Sequence, residues 1–96
     1  MKLASLILLM TVNVMAATSY QKDALPIFQD RCSQCHNANS APQPNWLDYD
    51  TAKSKKDRIL DRVYTKKDMP PFGNVTKITD QEREVLKNWV EEGAQK

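Results

Sequence analysis

The stretch Arg31-Cys32-Ser33-Gln34-Cys35-His36 constrains this chain more than any other, because it holds both cysteines and the only histidine of its 96 residues. Two thiols separated by two residues fall on one helical turn, and an imidazole comes directly after. Cys-x-x-Cys-His is the pattern of covalent haem attachment. Each thiol adds to one vinyl group of the porphyrin, and the two intervening residues set the separation of the sulfurs. The adjacent imidazole then reaches the iron from one face. Three other chemistries use part of the pattern. A thioredoxin-type pair sits at a βα junction, and no alternating strand pattern occurs here. A structural zinc site needs four ligands, whereas Cys32, Cys35 and His36 exhaust the Cys and His of the chain. A disulfide across two residues closes a loop too small to staple a fold.

The N-terminus points to a location outside the cytoplasm. Lys2 precedes an apolar run over residues 3–15, broken only by Ser5, Thr11 and Asn13, and Val14-Met15-Ala16 supplies small residues for a peptidase. This is the layout of an export signal, with cleavage expected after Ala16. The run is short of the roughly 20 residues that span a bilayer as a helix. The expected organisation is therefore a cleavable signal at residues 1–16 and one domain at residues 17–96.

A composition of 41% hydrophobic and 27% charged residues suits a soluble domain, and 96 residues exclude a two-domain enzyme. A net charge of +2 gives no electrostatic case for nucleic acid. So short a chain rarely holds itself together by apolar packing alone. A covalently held porphyrin supplies the missing core, with Phe28, Trp46, Ile59 and Trp89 expected to pack around it.

Once the leader is removed, Met69 is the only methionine left. It lies in Lys67-Asp68-Met69-Pro70-Pro71-Phe72-Gly73, which cannot be helical, since Pro70 disfavours the helical region at Met69 and the double proline stiffens the next residues. A stiff loop holds an otherwise floppy thioether in place, so Met69 is the expected second axial ligand beside His36. The alternatives are Met69 as core filler, with the sixth iron site open or taken by Lys66 or Lys67.

The rest reads as helices. Asp23 is the expected N-cap of a helix from Ala24 to Ser33, with Pro26 in its first turn and Leu25, Phe28 and Cys32 on one face. Residues 37–44 are polar and proline-punctuated, so they form a loop. Asn45-Trp46-Leu47-Asp48 has the spacing of a capped helix starting at Trp46, and Ser54-Lys55-Lys56-Asp57 repeats it ahead of Ile59, Leu60 and Val63. Thr79 with Glu82 forms a further capping box before Val85, Leu86, Trp89 and Val90, and Gly93 suits the stop. The fold class is all-α, with three to four helices.

These residues together resemble the small bacterial class I monohaem c-type cytochromes. The resemblance rests on Cys32 to His36, on Met69-Pro70-Pro71, and on Ile78-Thr79-Asp80-Gln81-Glu82 leading to Leu86, Trp89, Val90 and Gly93. Phe28 matches the aromatic that packs the family's N-terminal helix on its C-terminal one. Asn37-Ala38-Asn39-Ser40 stands where mitochondrial-type members carry Gly-Pro-x-Leu. The resemblance implies a cytochrome c-like fold around one haem c, with Cys32 and Cys35 as attachment points and His36 and Met69 as iron ligands. A backbone carbonyl at Pro42 or Pro44 is expected to accept from the other nitrogen of His36, and Trp46 either packs or donates to a haem propionate.

The expected function is single-electron transfer in the periplasm or an equivalent exported space, by a monomeric carrier that is not itself an enzyme. Two rivals stay open: a haem-based gas sensor or peroxidase-like protein with a labile Met69, and a membrane-tethered electron-transfer subunit of a larger complex. Expected partners are a reductase and an oxidase. Residues 51–67 carry seven Lys or Arg against two Asp, while residues 80–92 carry five acids against two bases. The basic segment, with Lys53 at one end and Lys67 at the other, is a candidate docking edge; two solvated helix faces with internal ion pairs explain the same pattern.

Overall fold

The computed structural model describes residues 17–71 and 77–96. The expected leader, and Phe72 and Gly73 of the methionine loop, lie outside the described residues. Among the described residues, seven helical stretches run on from one another in places without a break and join into four helices. We label them α1 (residues 20–32), α2 (Tyr49–Ser54), α3 (residues 56–65) and α4 (Asp80–Glu91). Among the described residues there is no strand, only a single bridge between Ser19 and Gln95. The all-α expectation holds.

α1 starts earlier than Asp23 suggested. Ser19 is the N-cap: its hydroxyl accepts from Lys22 N at 3.1 Å, and Asp23 accepts from Ser19 N at 2.8 Å. The cause is long-range. Tyr20 N and Gln21 N, two of the unpaired donors of a helix start, donate to Gln95 O and Lys96 O at 2.8 and 2.9 Å. The C-terminal tail thus completes the first turn. The turns Tyr20–Ala24 and Phe28–Cys32 are π-wound on either side of Leu25–Ile27, which carries the exposed Pro26. The extra turn adds Tyr20 to the inner face, where Ala24, Ile27 and Phe28 are buried and Leu25 is only half-buried.

α4 begins at the expected place. Thr79 Oγ1 accepts from Glu82 N at 3.1 Å and Glu82 accepts from Thr79 N at 2.9 Å, a complete capping box. Leu86, Trp89 and Val90 face the core. At its far end Gly93 turns left-handed at φ +105°, while Ala94 N reaches Trp89 O at 2.8 Å and Gly93 N reaches Val90 O at 3.2 Å. This is a Schellman close, and it feeds Ala94, itself fully buried, back into the core. Trp89 donates its indole N–H to Gln95 O at 2.9 Å.

The two middle helices start later than their signatures suggested. Asn45 caps no helix; its side chain accepts from Leu47 N at 2.9 Å in a local turn. Asp48 caps α2 instead, accepting from Thr51 N at 3.0 Å. Ser54 turns its hydroxyl back to Thr51 O, and Lys55, at φ −114°, is the joint from which α3 departs. Ile59 and Val63 are buried on α3 as expected.

Glu82 also joins α4 to α1, accepting from Arg31 Nε at 3.0 Å and Nη2 at 3.3 Å. Burial pushes its carboxyl up, but the bonds from Thr79 and Arg31 outweigh this and hold it below the ordinary glutamate range. A depressed carboxylate contributes stability above its unfolded value and loses it as pH falls through its folded value. Thr79→Ala is expected to cost about 1 kcal/mol in denaturant unfolding of the haem-loaded protein. Glu82→Gln should flatten the stability loss of the same protein below the ordinary glutamate value of 4.5; an unchanged acid limb would remove Glu82 from that role.

Candidate functional site

Cys32 ends α1, and the next turn is closed by its own carbonyl, which accepts from Cys35 N at 3.1 Å and from His36 N at 2.9 Å. One turn therefore presents all three side chains of the motif. Cys32 is half-buried and Cys35 exposed, both as free thiols. Burial, then the neighbouring Cys35 and Glu82, push the Cys32 thiol up to about 12.

His36 is fixed from two sides. Its Nδ1 lies 2.7 Å from Pro44 O, which selects Pro44 over Pro42 as the acceptor. Its ring stacks on Trp46, with centroids 4.9 Å apart and planes at 21°. Burial lowers its pKa; the Pro44 bond raises it in partial compensation, and the nearby Arg58 charge lowers it further. With Nδ1 bonded to a carbonyl, the proton sits there and Nε2 is left as the lone-pair nitrogen.

Pro44 is held in place by a loop that Ser40 organises. Its hydroxyl accepts from Asn37 N at 2.9 Å and lies 2.7 Å from Asn37 O and 3.0 Å from Gln43 O. Asn37 also donates its side-chain amide to Ser33 O at 2.7 Å, tying the loop to the end of α1.

Across from these, α3 supplies Ile59, Val63, Arg58 and Arg62, and the chain beyond it supplies Met69, Pro70 and Pro71. Together they line one cleft of about 390 Å³, with Phe28, Cys32, Cys35, His36 and Trp46 on its other sides. The fold thus brings Met69, distant along the chain, to the same space as the neighbouring Cys32, Cys35 and His36. Phe28, Trp46 and Ile59 line it as expected. Trp89 does not: it packs behind Phe28, edge-on at 6.0 Å and 80°, and is wholly buried. Lys66 and Lys67 are exposed and do not line the cleft. Among the described residues no group of three or more His, Cys, Asp and Glu could hold a metal ion.

The family profile described as "Cytochrome C oxidase, cbb3-type, subunit III" matches residues 21–90. The chain belongs to that family of c-type cytochrome domains. No curated protein and no solved structure matches the chain. The cytochrome domain carries covalently bound c-type haem with iron and works in haem-based electron transfer. The cleft fits such a group. Its walls at Phe28, Ile59 and Val63 are apolar, and its thiols are free. Among the described residues, Trp46 is bonded through its carbonyl, from Tyr20 Oη at 2.7 Å, and its indole N–H has no acceptor.

Ser40, Arg58 and Arg62 were missed by sequence reasoning. Ser40 belongs to a polar loop like any other until its bonds are known, and Arg58 and Arg62 are lost among the other cations of residues 51–67. Ser40→Ala is expected to lower stability by about 1 kcal/mol and to speed hydrogen exchange at the Asn37 amide of the cytochrome. An Asn37 amide exchanging at the wild-type rate would show that the hydroxyl does not organise this loop.

Proposed function

We propose that Cys32 and Cys35 carry the haem through two thioethers, that His36 Nε2 and Met69 are its axial ligands, and that the protein is an exported single-electron carrier. The observation that carries this reading is the gathering of both thiols, the oriented imidazole and the thioether in one apolar cleft. Bound there, the haem supplies an iron centre that exchanges one electron, with a potential raised by a thioether ligand. The chain's own residues do the rest. The Pro44 carbonyl and the Trp46 ring keep His36 from turning. Phe28, Ile59 and Val63 keep water from the buried side. Arg58, exposed on the cleft with no ion-pair partner among the described residues, and the free indole N–H of Trp46 are placed to meet propionate carboxylates. The sole histidine is taken up in this arrangement and is not free to act as a general base.

Export to the periplasm is supported by the charged and apolar pattern of residues 1–16. No helix of the described residues is long and apolar enough to cross a membrane. A second reading, service within a larger oxidase-type complex, is favoured by the name of the matching family. Either role needs a docking edge. Three of the cations in the basic segment are neutralised locally, Lys56 by Asp57, Arg62 by Asp68 and Lys66 by Asp61. Lys53, Lys55, Arg58 and Lys67 have no such partner among the described residues, and they would steer an acidic surface.

Three measurements test this. Met69→Ala should abolish the six-coordinate low-spin spectrum of the haem-loaded protein and let the ferrous form bind carbon monoxide rapidly; a spectrum identical to wild type excludes Met69. Replacing Cys32 and Cys35 together by alanine should leave no haem that survives denaturing electrophoresis. Lys53→Glu with Lys55→Glu should slow association with an acidic redox partner at low salt, with the difference vanishing at high salt. Equal rates at low salt would end the docking assignment.

A further inference from the structure

We propose that Arg62 is the positioning residue for Met69, a latch that holds the methionine loop against α3 and sets how readily the thioether leaves the iron. The proposal rests on the reading of Met69 as a ligand. Three bonds converge on this one arginine. Its carbonyl accepts from Asp68 N at 2.9 Å and from Met69 N at 3.3 Å. Its guanidinium Nε donates to Asp68 Oδ1 at 2.7 Å. All the hydrogen bonds that residues 68 and 69 make to other described residues end on Arg62. Among the described residues, Met69 is otherwise held by partial burial against the core.

The backbone explains why one residue can take this load. The last turn of α3, Asp61–Thr65, is π-wound, and it closes with Lys66 N on Asp61 O at 2.8 Å. Lys67 then turns left-handed at φ +56°, the conformation that ends a helix by reversing the chain. In an ordinary Schellman close the next amide would reach back five residues. Here the wider turn sends Asp68 N back six residues, to Arg62. That extra step carries Met69 over the face of α3 on which Arg62 itself lines the cleft.

The side chains of the pair are partly exposed, 32% for Arg62 and 46% for Asp68. The ion pair alone is thus a modest restraint. Its leverage comes from position, since it fixes the residue next to the thioether. Loosening it should raise the fraction of time Met69 is off the iron while leaving the helices intact.

The test is the rate of carbon monoxide binding to the ferrous, haem-loaded protein, which requires Met69 to leave, read beside the methionine–iron absorption band of the ferric form. Asp68→Ala and Arg62→Leu should each speed binding by about two- to fivefold and weaken the band, and the double variant should do no more than either single one. Asp61→Asn breaks a comparable ion pair one turn away, Lys66 with Asp61 at 3.1 Å, and should leave the rate unchanged. A wild-type rate in Asp68→Ala, or an equal rise in Asp61→Asn, overturns the latch. Should Arg62→Leu not fold, Asp68→Ala decides, because it alters no helical residue. Fast binding in Met69→Ala with no effect of Asp68→Ala sinks the latch alone. No effect of Met69→Ala itself sinks the ligand assignment and the latch with it.

Discussion

Phe28 lies edge-on against Trp89, both wholly buried, where α1 crosses α4. Everything at the site is referred to this crossing. One helical turn beyond Phe28, Arg31 grips Glu82 with two bonds, and in the next position α1 delivers Cys32 to the cleft. The crossing holds from its other end as well, where the C-terminal tail returns from α4 and its carbonyls accept from the first turn of α1. A ring of contacts thus closes around Tyr20, which touches Phe28, Trp89 and Tyr49 and bonds the Trp46 carbonyl. Burial pushes the Tyr20 hydroxyl up to about 12, so it remains a donor at any physiological pH. That bond anchors the Trp46 backbone, and the Trp46 ring in turn carries His36.

The two sides of the cleft are held in different ways. The aromatic ring system of Tyr20, Phe28 and Trp89 sits behind the site and packs on itself. The cleft side has no such reserve. Ile59 and Val63 on α3 face Phe28 and Trp46 across the cleft, and α3 is tied to α4 through Arg83, which donates to Val63 O at 2.6 Å. A flat apolar group between the two walls completes the core on that side. A haem held there would therefore be structural as well as functional, and attachment at Cys32 and Cys35 would keep it between these walls.

The parts of this arrangement that were legible in the sequence are those fixed by local chemistry. The Cys32–His36 turn, the Thr79–Glu82 box and the Gly93 stop each satisfy their backbone groups within a few residues, so the spacing alone identifies them. The illegible parts depend on distant partners. Ser19 displaces Asp23 as the cap because carbonyls at residues 95 and 96 complete the turn. Asn45 and Ser54 carry cap-like spacings but spend their side chains on local turns. Trp46 and Trp89 look alike in sequence, yet only one faces the cleft. Ser40, Arg58 and Arg62 are ordinary polar residues whose roles come entirely from the groups the fold sets beside them.

The same distinction sharpens the meaning of the charge pattern. In sequence, the basic and acidic segments look like mirror images. In the fold they are unlike, because the acids are largely engaged. Glu82 holds Arg31, Glu84 takes the Tyr64 hydroxyl, Glu91 takes Lys87, and Glu92 accepts from Thr18 N. The basic segment keeps more of its charge unspent, and one of its free members, Arg58, stands on the cleft itself. The imbalance of charge is therefore set by ion pairing as well as by composition. On the proposed docking reading, Arg58, which lines the cleft and has no ion-pair partner among the described residues, would draw an acidic partner toward the site itself.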